Sequence, residues 1–392
     1  MKKMNILISG LGIKVGGGEI LAMQLANELA KQHHVTFYYH WDNENDKKLQ
    51  ERIFTNEVTI RSMNDFPLLN FFSWKINALL QLFGGFSFHD YVNRLVYKYI
   101  LKKQRIQVVS SHSRVSDTVC VPCKQKNIPV VITEHGEYVM AIASQEKDYN
   151  ELLSGADKVV CVSDFNKRTI LQKYPALSSK IQTIYNGTVL KRKQRDKEPV
   201  LKKLGIASDC FVFGMVSRGI PEKGWEELIR AFLILQENIE EKIALVLVGG
   251  GPYMDELAEK YKAHQNIVFT GFAPDPSLFI QCFHVGVLPT RFKTEAFGLA
   301  ILEYIICGVP AIATDVGGVK EVMKNGDKEF GQLIPFGDCE EIIGNLVIAM
   351  KKYITDKNLY QQHIDQERLT EKRFSIEACA QAYTHLFNEL VK

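Results

Sequence analysis

Short apolar runs rich in β-branched residues recur along the chain. In the first half they are Asn5–Ser9, Val35–Tyr39, Gln107–Ser110, Val130–Thr133, Lys158–Val162 and Ile181–Tyr185. In the second half they are Phe211–Val216, Ala244–Val248, Ile267–Thr270, Val285–Leu288 and Ala311–Thr314. Nearly unbroken apolarity marks strands buried on both faces of a parallel sheet, whereas a half-solvated strand alternates. Longer stretches with helical spacing lie between the runs, which predicts a doubly wound α/β architecture. The series runs twice. Between the two runs sit Asn186-Gly187 and the charged, proline-ended stretch Lys191–Pro199, suited to a linker. Two Rossmann-like domains are therefore expected, over residues 1–187 and 188–375, with a last helical pattern from Ile376 to Leu390 returning to pack on the first.

Composition agrees with this and excludes several classes. At about 150 residues per domain, 392 residues correspond to two or three domains. A hydrophobic fraction of 46% with 24% charged residues is ordinary globular composition and excludes dominant disorder. Lysine plus arginine (48) nearly balances aspartate plus glutamate (45), so a dedicated nucleic-acid binder is not expected. No run reaches the length of about eighteen apolar residues that a spanning helix needs. The start superficially resembles a signal peptide, but its apolar run Met4–Ile8 breaks at Ser9-Gly10, as a first strand entering a turn would. Eight scattered cysteines do not make a disulfide scaffold, and Cys120-x-x-Cys123 lacks a second pair at metal-ligand spacing. These thiols are read as buried, and the chain as cytoplasmic.

Four segments carry candidate chemistry. Gly10-Leu11-Gly12 and Gly16-Gly17-Gly18-Glu19 link the first strand to a helical pattern from Ile20 to Ala30. Such a loop either admits a phosphate to backbone N–H groups or is a tight strand–helix turn. Its spacing is a poor dinucleotide fingerprint, and no acidic residue ends the second strand. His112 and His135 each follow a buried strand, where ligands of open α/β sheets bind, although a packed structural histidine fits the same pattern. Arg218 and Lys223 share one glycine-containing loop before a helix, an arrangement that favours an anion. Glu295 and Glu303 stand eight residues apart, with Glu295 expected in a loop and Glu303 inside a helix beginning near Gly298. Apolar neighbours surround Glu303, so a polar partner or ligand is expected for it.

The Glu295-x7-Glu303 run, followed by Ala311–Glu321, resembles the retaining glycosyltransferases of family 4, GT-B fold. The glycine loop Gly16–Glu19, the segment Ser154–Ser163, Tyr185-Asn186-Gly187 and Val248–Pro252 resemble further family segments in the same order. The resemblance implies two Rossmann-like domains facing across a cleft, an acceptor-side domain first and a nucleotide-sugar domain second. It implies that Arg218 and Lys223 neutralise the donor diphosphate, joined by backbone N–H groups at Phe297, Gly298, Leu299 and Ala300. Gly16 and Gly17 would close on the donor, Gly250 would face its base, Glu295 its sugar and Glu303 its ribose. His135 would sit by the reacting centre, with His112 on the acceptor side or structural.

Glycosyl transfer needs a stabilised leaving group and a held acceptor hydroxyl. Two cations and a helix end supply the first, and no Asp-x-Asp site follows a strand, so neither cofactor nor metal is expected. A hexosyltransferase using a nucleotide sugar, UDP by default, and a glycan or lipid-linked acceptor is the expectation, in cell-surface polysaccharide or glycolipid assembly. The alternative within this fold is a nucleotide-sugar epimerase or sugar phosphorylase. An NAD-dependent oxidoreductase would leave Arg218, Lys223 and the paired glutamates unused. Phe66–Trp74, the charge-free run between Lys75 and Asp90, and the basic residues Arg94, Lys98, Lys102, Lys103 and Arg105 describe either an interfacial segment on anionic membrane or a helix packed on its own sheet.

Overall fold

The computed structural model describes residues 3–14, 16–40, 45–81, 87–190, 197–367 and 373–391. Residues 191–196 of the linker stretch, 82–86 of the charge-free run and Val15 lie outside the described residues. The chain divides into two compact units, Met1–Gly187 with Ile376–Lys392, and Thr188–Ser375.

The first unit holds seven parallel strands: β1 (Asn5–Gly10), β2 (His34–Tyr39), β3 (Val58–Arg61), β4 (Val108–Ser111), β5 (Val130–Glu134), β6 (Lys158–Cys161) and β7 (Ile181–Thr183). Their order is β3-β2-β1-β4-β5-β6-β7. Ile6 pairs with Val35 on one side and Val108 on the other, so winding reverses between β1 and β4. Alternation sends Ile6 and Ile8 into the core on one sheet face and Leu7 into the core on the other. The helix Gly17–Ala30 and the C-terminal helix Ile376–Leu390 cover the first face. The helix Phe88–Lys103 covers the second through Val92, Val96, Tyr97 and Leu101.

The second unit repeats the plan with β8 (Phe211–Val216), β9 (Ile243–Val248), β10 (Ile267–Gly271), β11 (Val285–Leu288) and β12 (Ala311–Thr314). A hairpin of β13 (Lys324–Asn325) and β14 (Lys328–Glu329) precedes a sixth sheet strand, β15 (Gly331–Ile334). The order is β10-β9-β8-β11-β12-β15, and every pairing within this sheet is parallel. Besides the hairpin, two strands of the main sheets, β3 and β15, are missing from the sequence reading. Both are four-residue strands at sheet edges, and Thr59, Arg61 and Gln332 break their apolar pattern.

The helix Ile376–Leu390 belongs to the first unit's core, where Phe387 is wholly buried and Tyr383 reaches the Thr133 hydroxyl at 3.0 Å. Phe387→Ala is expected to cost about 3–5 kcal/mol, measured by urea unfolding of the full chain. A loss under about 1 kcal/mol, ordinary for a surface change, would make this helix peripheral to the core.

Candidate active site

In the second unit, β8 runs into the loop 217–224, whose last turn is a single 3₁₀ turn, Pro221–Lys223. Gly224 follows at φ +80°, and a Cβ there would lie 2.1 Å from the Pro289 carbonyl oxygen, so the chain turns here only with glycine. The next residue, Trp225, is fully buried, and its indole N–H donates to the Arg218 carbonyl at 2.9 Å. Arg218 thus has an anchored backbone and an exposed side chain.

Lys223 is nearly buried, and its ammonium donates to Glu295 Oε2 at 2.5 Å. The Thr290 hydroxyl donates to the same oxygen at 3.3 Å. Glu295 lies in the loop after β11, and its main chain is clamped. Its N–H donates to the Phe292 carbonyl at 2.9 Å, and its carbonyl accepts from Gly318 N–H at 2.8 Å. Gly317 sits at φ +56°, where a Cβ would come within 2.0 Å of the Glu295 carbonyl oxygen. This second strand–helix turn therefore fixes the glutamate of the first.

Past Phe297, which is buried against Phe374, Gly298 turns at φ +80° and caps the helix Leu299–Ile306. Main-chain bonding resumes with Ile301 N–H to the Gly298 carbonyl, 2.9 Å. The N–H groups of Gly298, Leu299 and Ala300 have no acceptor among the described residues. Glu303 is within this helix, partly buried, and its carboxylate has no hydrogen-bond partner among the described residues. Burial pushes its carboxyl up to about 7, with the Asp275 charge adding to the shift. Gly250, in the turn after β9, accepts the Gly219 N–H at 3.2 Å and abuts Phe272. Arg218, Lys223, Gly250, Glu295 and the Gly298–Glu303 helix start thus belong to loops leaving the C-terminal ends of β8, β9 and β11, where winding reverses between β8 and β11.

In the first unit the same edge carries the histidines. His112 N–H donates to the Ser9 carbonyl at 2.8 Å, holding the residue at the reversal between β1 and β4. His112 Nδ1 and His135 Nε2 are 3.2 Å apart, and the Ser110 hydroxyl is 3.0 Å from His112 Nε2. Burial brings His135 down to about 4 and holds His112 well below the usual range, further lowered by His135. Both imidazoles are neutral at pH 7, so one ring donates to the other. His112 therefore supports His135 directly. The His135 ring packs on Gly18, where a Cβ would lie 3.0 Å from Cγ. Gly16 is extended at φ −166° and caps the helix Gly17–Ala30, which starts three residues before the expected Ile20 because Gly17–Glu19 form its first turn.

Sequence reasoning missed Glu134. Its buried carboxylate accepts N–H bonds from Gly136 (2.8 Å), Tyr138 (3.1 Å) and Val139 (3.2 Å), closing the start of the helix Glu137–Ala143. Burial nonetheless lifts this carboxyl to about 7. The signal was present as an acid two residues ahead of a glycine that opens a helix, with Gly136 at φ 113°. Thr290, which braces Glu295, had no such signal. Cys120 and Cys123 are buried free thiols.

Two families match in tandem: "Glycosyltransferase Family 4" over residues 15–192 and "Glycosyl transferases group 1" over residues 196–368. The chain is 22% identical over 357 residues to N-acetyl-alpha-D-glucosaminyl L-malate synthase of Bacillus anthracis, covering 88% of this chain and 87% of that one. It is 27% identical over 275 residues to UDP-Gal:alpha-D-GlcNAc-diphosphoundecaprenol alpha-1,3-galactosyltransferase of Escherichia coli, covering 64% and 68%. Among solved structures, a glycosyltransferase from Rickettsia africae superposes with a TM-score of 0.76 at 21% identity, covering 100% of both chains. Anabaena HepE in complex with UDP-glucose superposes with a TM-score of 0.73 at 20% identity, covering 98% of this chain and 100% of that one.

The clamp on Glu295 has a direct test. Gly317→Ala meets both a left-handed backbone and a carbonyl oxygen, whereas Gly326 has φ +62° and open space around it. Gly326→Ala is expected to cost about 1 kcal/mol and Gly317→Ala distinctly more, read as the fall in thermal midpoint. Equal losses would mean that Gly317 does not hold Glu295.

Proposed function

The chain belongs to the family 4 glycosyltransferases of GT-B fold, and from that premise we propose that it transfers a hexose from a UDP-sugar, with retention, to a hydroxyl of a glycan or lipid-linked acceptor. The observation that carries the donor side is the grouping in the second unit. Lys223 is paired with Glu295 beside a helix start whose first N–H groups lack acceptors among the described residues, and Glu303 one turn on has no hydrogen-bond partner among them. A UDP-sugar answers each of these needs. Its diphosphate takes Lys223, Arg218 and the N–H groups of Gly298, Leu299 and Ala300, with that of Phe297 alongside. Glu295, released from Lys223, accepts from hydroxyls of the sugar, Glu303 accepts from the ribose, and the Gly250 turn receives the base.

In the transfer, the bond from anomeric carbon to diphosphate oxygen breaks as the acceptor oxygen bonds on the same face. The acceptor proton passes to the departing phosphate oxygen, and the cations stabilise the charge that develops there. His135, neutral through burial, serves as a hydrogen-bonding group beside the sugar rather than as a cation. On the first unit, Gly16 and Gly17 at the start of the helix Gly17–Ala30 are the candidate contacts for the donor. No metal takes part in this scheme. The E. coli relative, whose name gives a diphosphoundecaprenol acceptor, supports a lipid-linked acceptor in cell-surface polysaccharide or glycolipid assembly.

Nucleotide release from UDP-sugars, followed with and without acceptor, tests the reading, and the anomeric coupling in the product's NMR spectrum tests retention. Lys223→Ala and Arg218→Ala are each expected to weaken UDP-sugar binding by about 1.5–3 kcal/mol. Near-wild-type kinetics in both variants would remove them from the site. Activity is expected to persist in EDTA; loss restored by Mg²⁺ or Mn²⁺ would refute the metal-free scheme.

Glu303 supplies a pH signature. Accepting from ribose hydroxyls favours its ionised form, and its carboxyl titrates at about 7. UDP-sugar affinity is therefore expected to rise from pH 6 to pH 8, and Glu303→Gln to flatten that rise. A wild-type profile flat over this interval would separate Glu303 from the ribose.

A further inference from the structure

The helix Pro67–Gln81 is turned inside out. Its buried line is polar, made of Asn70, Ser73 and Asn77. Ser73 Oγ donates to the Asn70 carbonyl at 2.7 Å and lies 2.8 Å from His89 Nδ1, and Asn77 Oδ1 accepts the His89 N–H at 3.4 Å. The outward side carries Leu68 (74% exposed), Leu69 (42%), Phe71 and Phe72 (56% each), Trp74 (47%), Ile76 (38%) and Leu79 (59%). Its one charged residue is Lys75, whose ammonium lies 5.6 Å from the Phe71 ring centroid. A surface helix of a globular protein normally has the reverse arrangement. Scattered exposed apolar residues are ordinary, but seven large ones on one helix mark a surface that meets something apolar.

The neighbouring helix Phe88–Lys103, packed against it, identifies the partner's charge. Its inner face is core, while its outer face interleaves Tyr91, Leu95 and Tyr99 with Arg94, Lys98 and Lys102. Asp90 is the only acid on either helix. A second copy of this chain seated here would bring a basic row with no acidic row on these helices to receive it. An anionic lipid surface satisfies both halves, apolar depth for the rings and negative headgroups for the cations. At about 1.5 Å per residue the helix of 15 residues is about 22 Å long, short of the roughly 30 Å hydrocarbon core. It can lie in the interface but cannot cross it. It also follows β3 after a single 3₁₀ turn, Met63–Asp65, so it starts from the same C-terminal sheet edge that carries His112 and His135.

We propose that Pro67–Gln81 is the membrane-inserting element of this chain, its outer rings buried among acyl chains while Arg94, Lys98 and Lys102 hold anionic headgroups. This rests on the transferase reading for its purpose, which is to bring the first unit to a lipid-borne acceptor, but not for its physics.

The test uses the full chain with vesicles of phosphatidylcholine alone or mixed with phosphatidylglycerol. Flotation with the anionic vesicles and a blue shift of tryptophan emission are expected, the shift being lost in Trp74→Phe. Arg94→Gln/Lys98→Gln/Lys102→Gln should lower partition into anionic vesicles by about a hundredfold at low salt, with little change at high salt. Phe71→Ser/Phe72→Ser/Leu79→Ser should lower it at either salt. A far-UV circular dichroism spectrum and thermal midpoint equal to wild type certify that each variant is folded, and quenching of Trp74 by brominated lipid in the unmutated chain reads insertion without any variant. Equal flotation on both vesicle types, unchanged emission, or a dimer that buries these rings without lipid would overturn the proposal. A chain that binds nucleotide but no vesicle sinks this inference alone; one that binds vesicles but no nucleotide sinks the transferase reading alone.

Discussion

A strand buried on both faces of a parallel sheet must be followed by a crossover, so every loop leaving a strand's C-terminal end emerges at one edge. That constraint operates twice in this chain, and the site chemistry depends on it. In the second unit it gathers loops that are distant in sequence, so that Lys223, just after β8, meets Glu295, just after β11. The meeting is fixed by backbone. Gly224 lies against the Pro289 carbonyl and Gly317 against that of Glu295, so three successive strand ends are joined through main-chain oxygens that admit no side chain. In the first unit the same geometry brings His112, after β4, to His135, after β5.

What the sequence made legible follows from how strongly each feature is dictated locally. Central strands such as Val130–Glu134 and Ile243–Val248 are apolar throughout because both faces are covered. Edge strands are covered less, and β3 and β15 carry polar residues that erase the pattern. Glu303 stood out because apolar neighbours on a helix make an isolated carboxylate conspicuous. Its carboxylate has no hydrogen-bond partner among the described residues, which leaves the ligand as the open alternative. The contacts Lys223–Glu295 and His112–His135 join residues 72 and 23 positions apart, and only the winding of the sheets reveals them. The helix Pro67–Gln81 was illegible for another reason. Periodicity tells which residues share a face, and only packing tells which face turns inward. Here Ser73 and Asn77 turn in because His89 gives them polar partners, and Asn70 because its amide donates to Asn64 Oδ1.

Burial imposes opposite protonation tendencies on the two kinds of group within these sheets. His40 is lowered to about 3, and His135 and His284 to about 4, each chiefly by burial, against an ordinary value of 6.5. Their neutral forms favour the folded state. The stability they contribute is full above pH 6.5 and is lost as pH falls toward their folded values. Glu134 and Glu303 are raised to about 7, also chiefly by burial, against an ordinary 4.5. They weigh against folding as pH rises from 4.5 through 7. Between about pH 4.5 and 6.5 the two sets oppose one another, and the dependence of stability on pH is blunted. Below 4.5 these two carboxyls are protonated in both states while the three histidines still act, so acid destabilises the fold in part through buried imidazoles. Glu134 and His135 are adjacent, and the N–H groups that Glu134 accepts from hold the helix start beyond His135. The charge state of the neighbouring acid therefore bears on where that imidazole sits, a coupling that follows from placing both at the end of one buried strand.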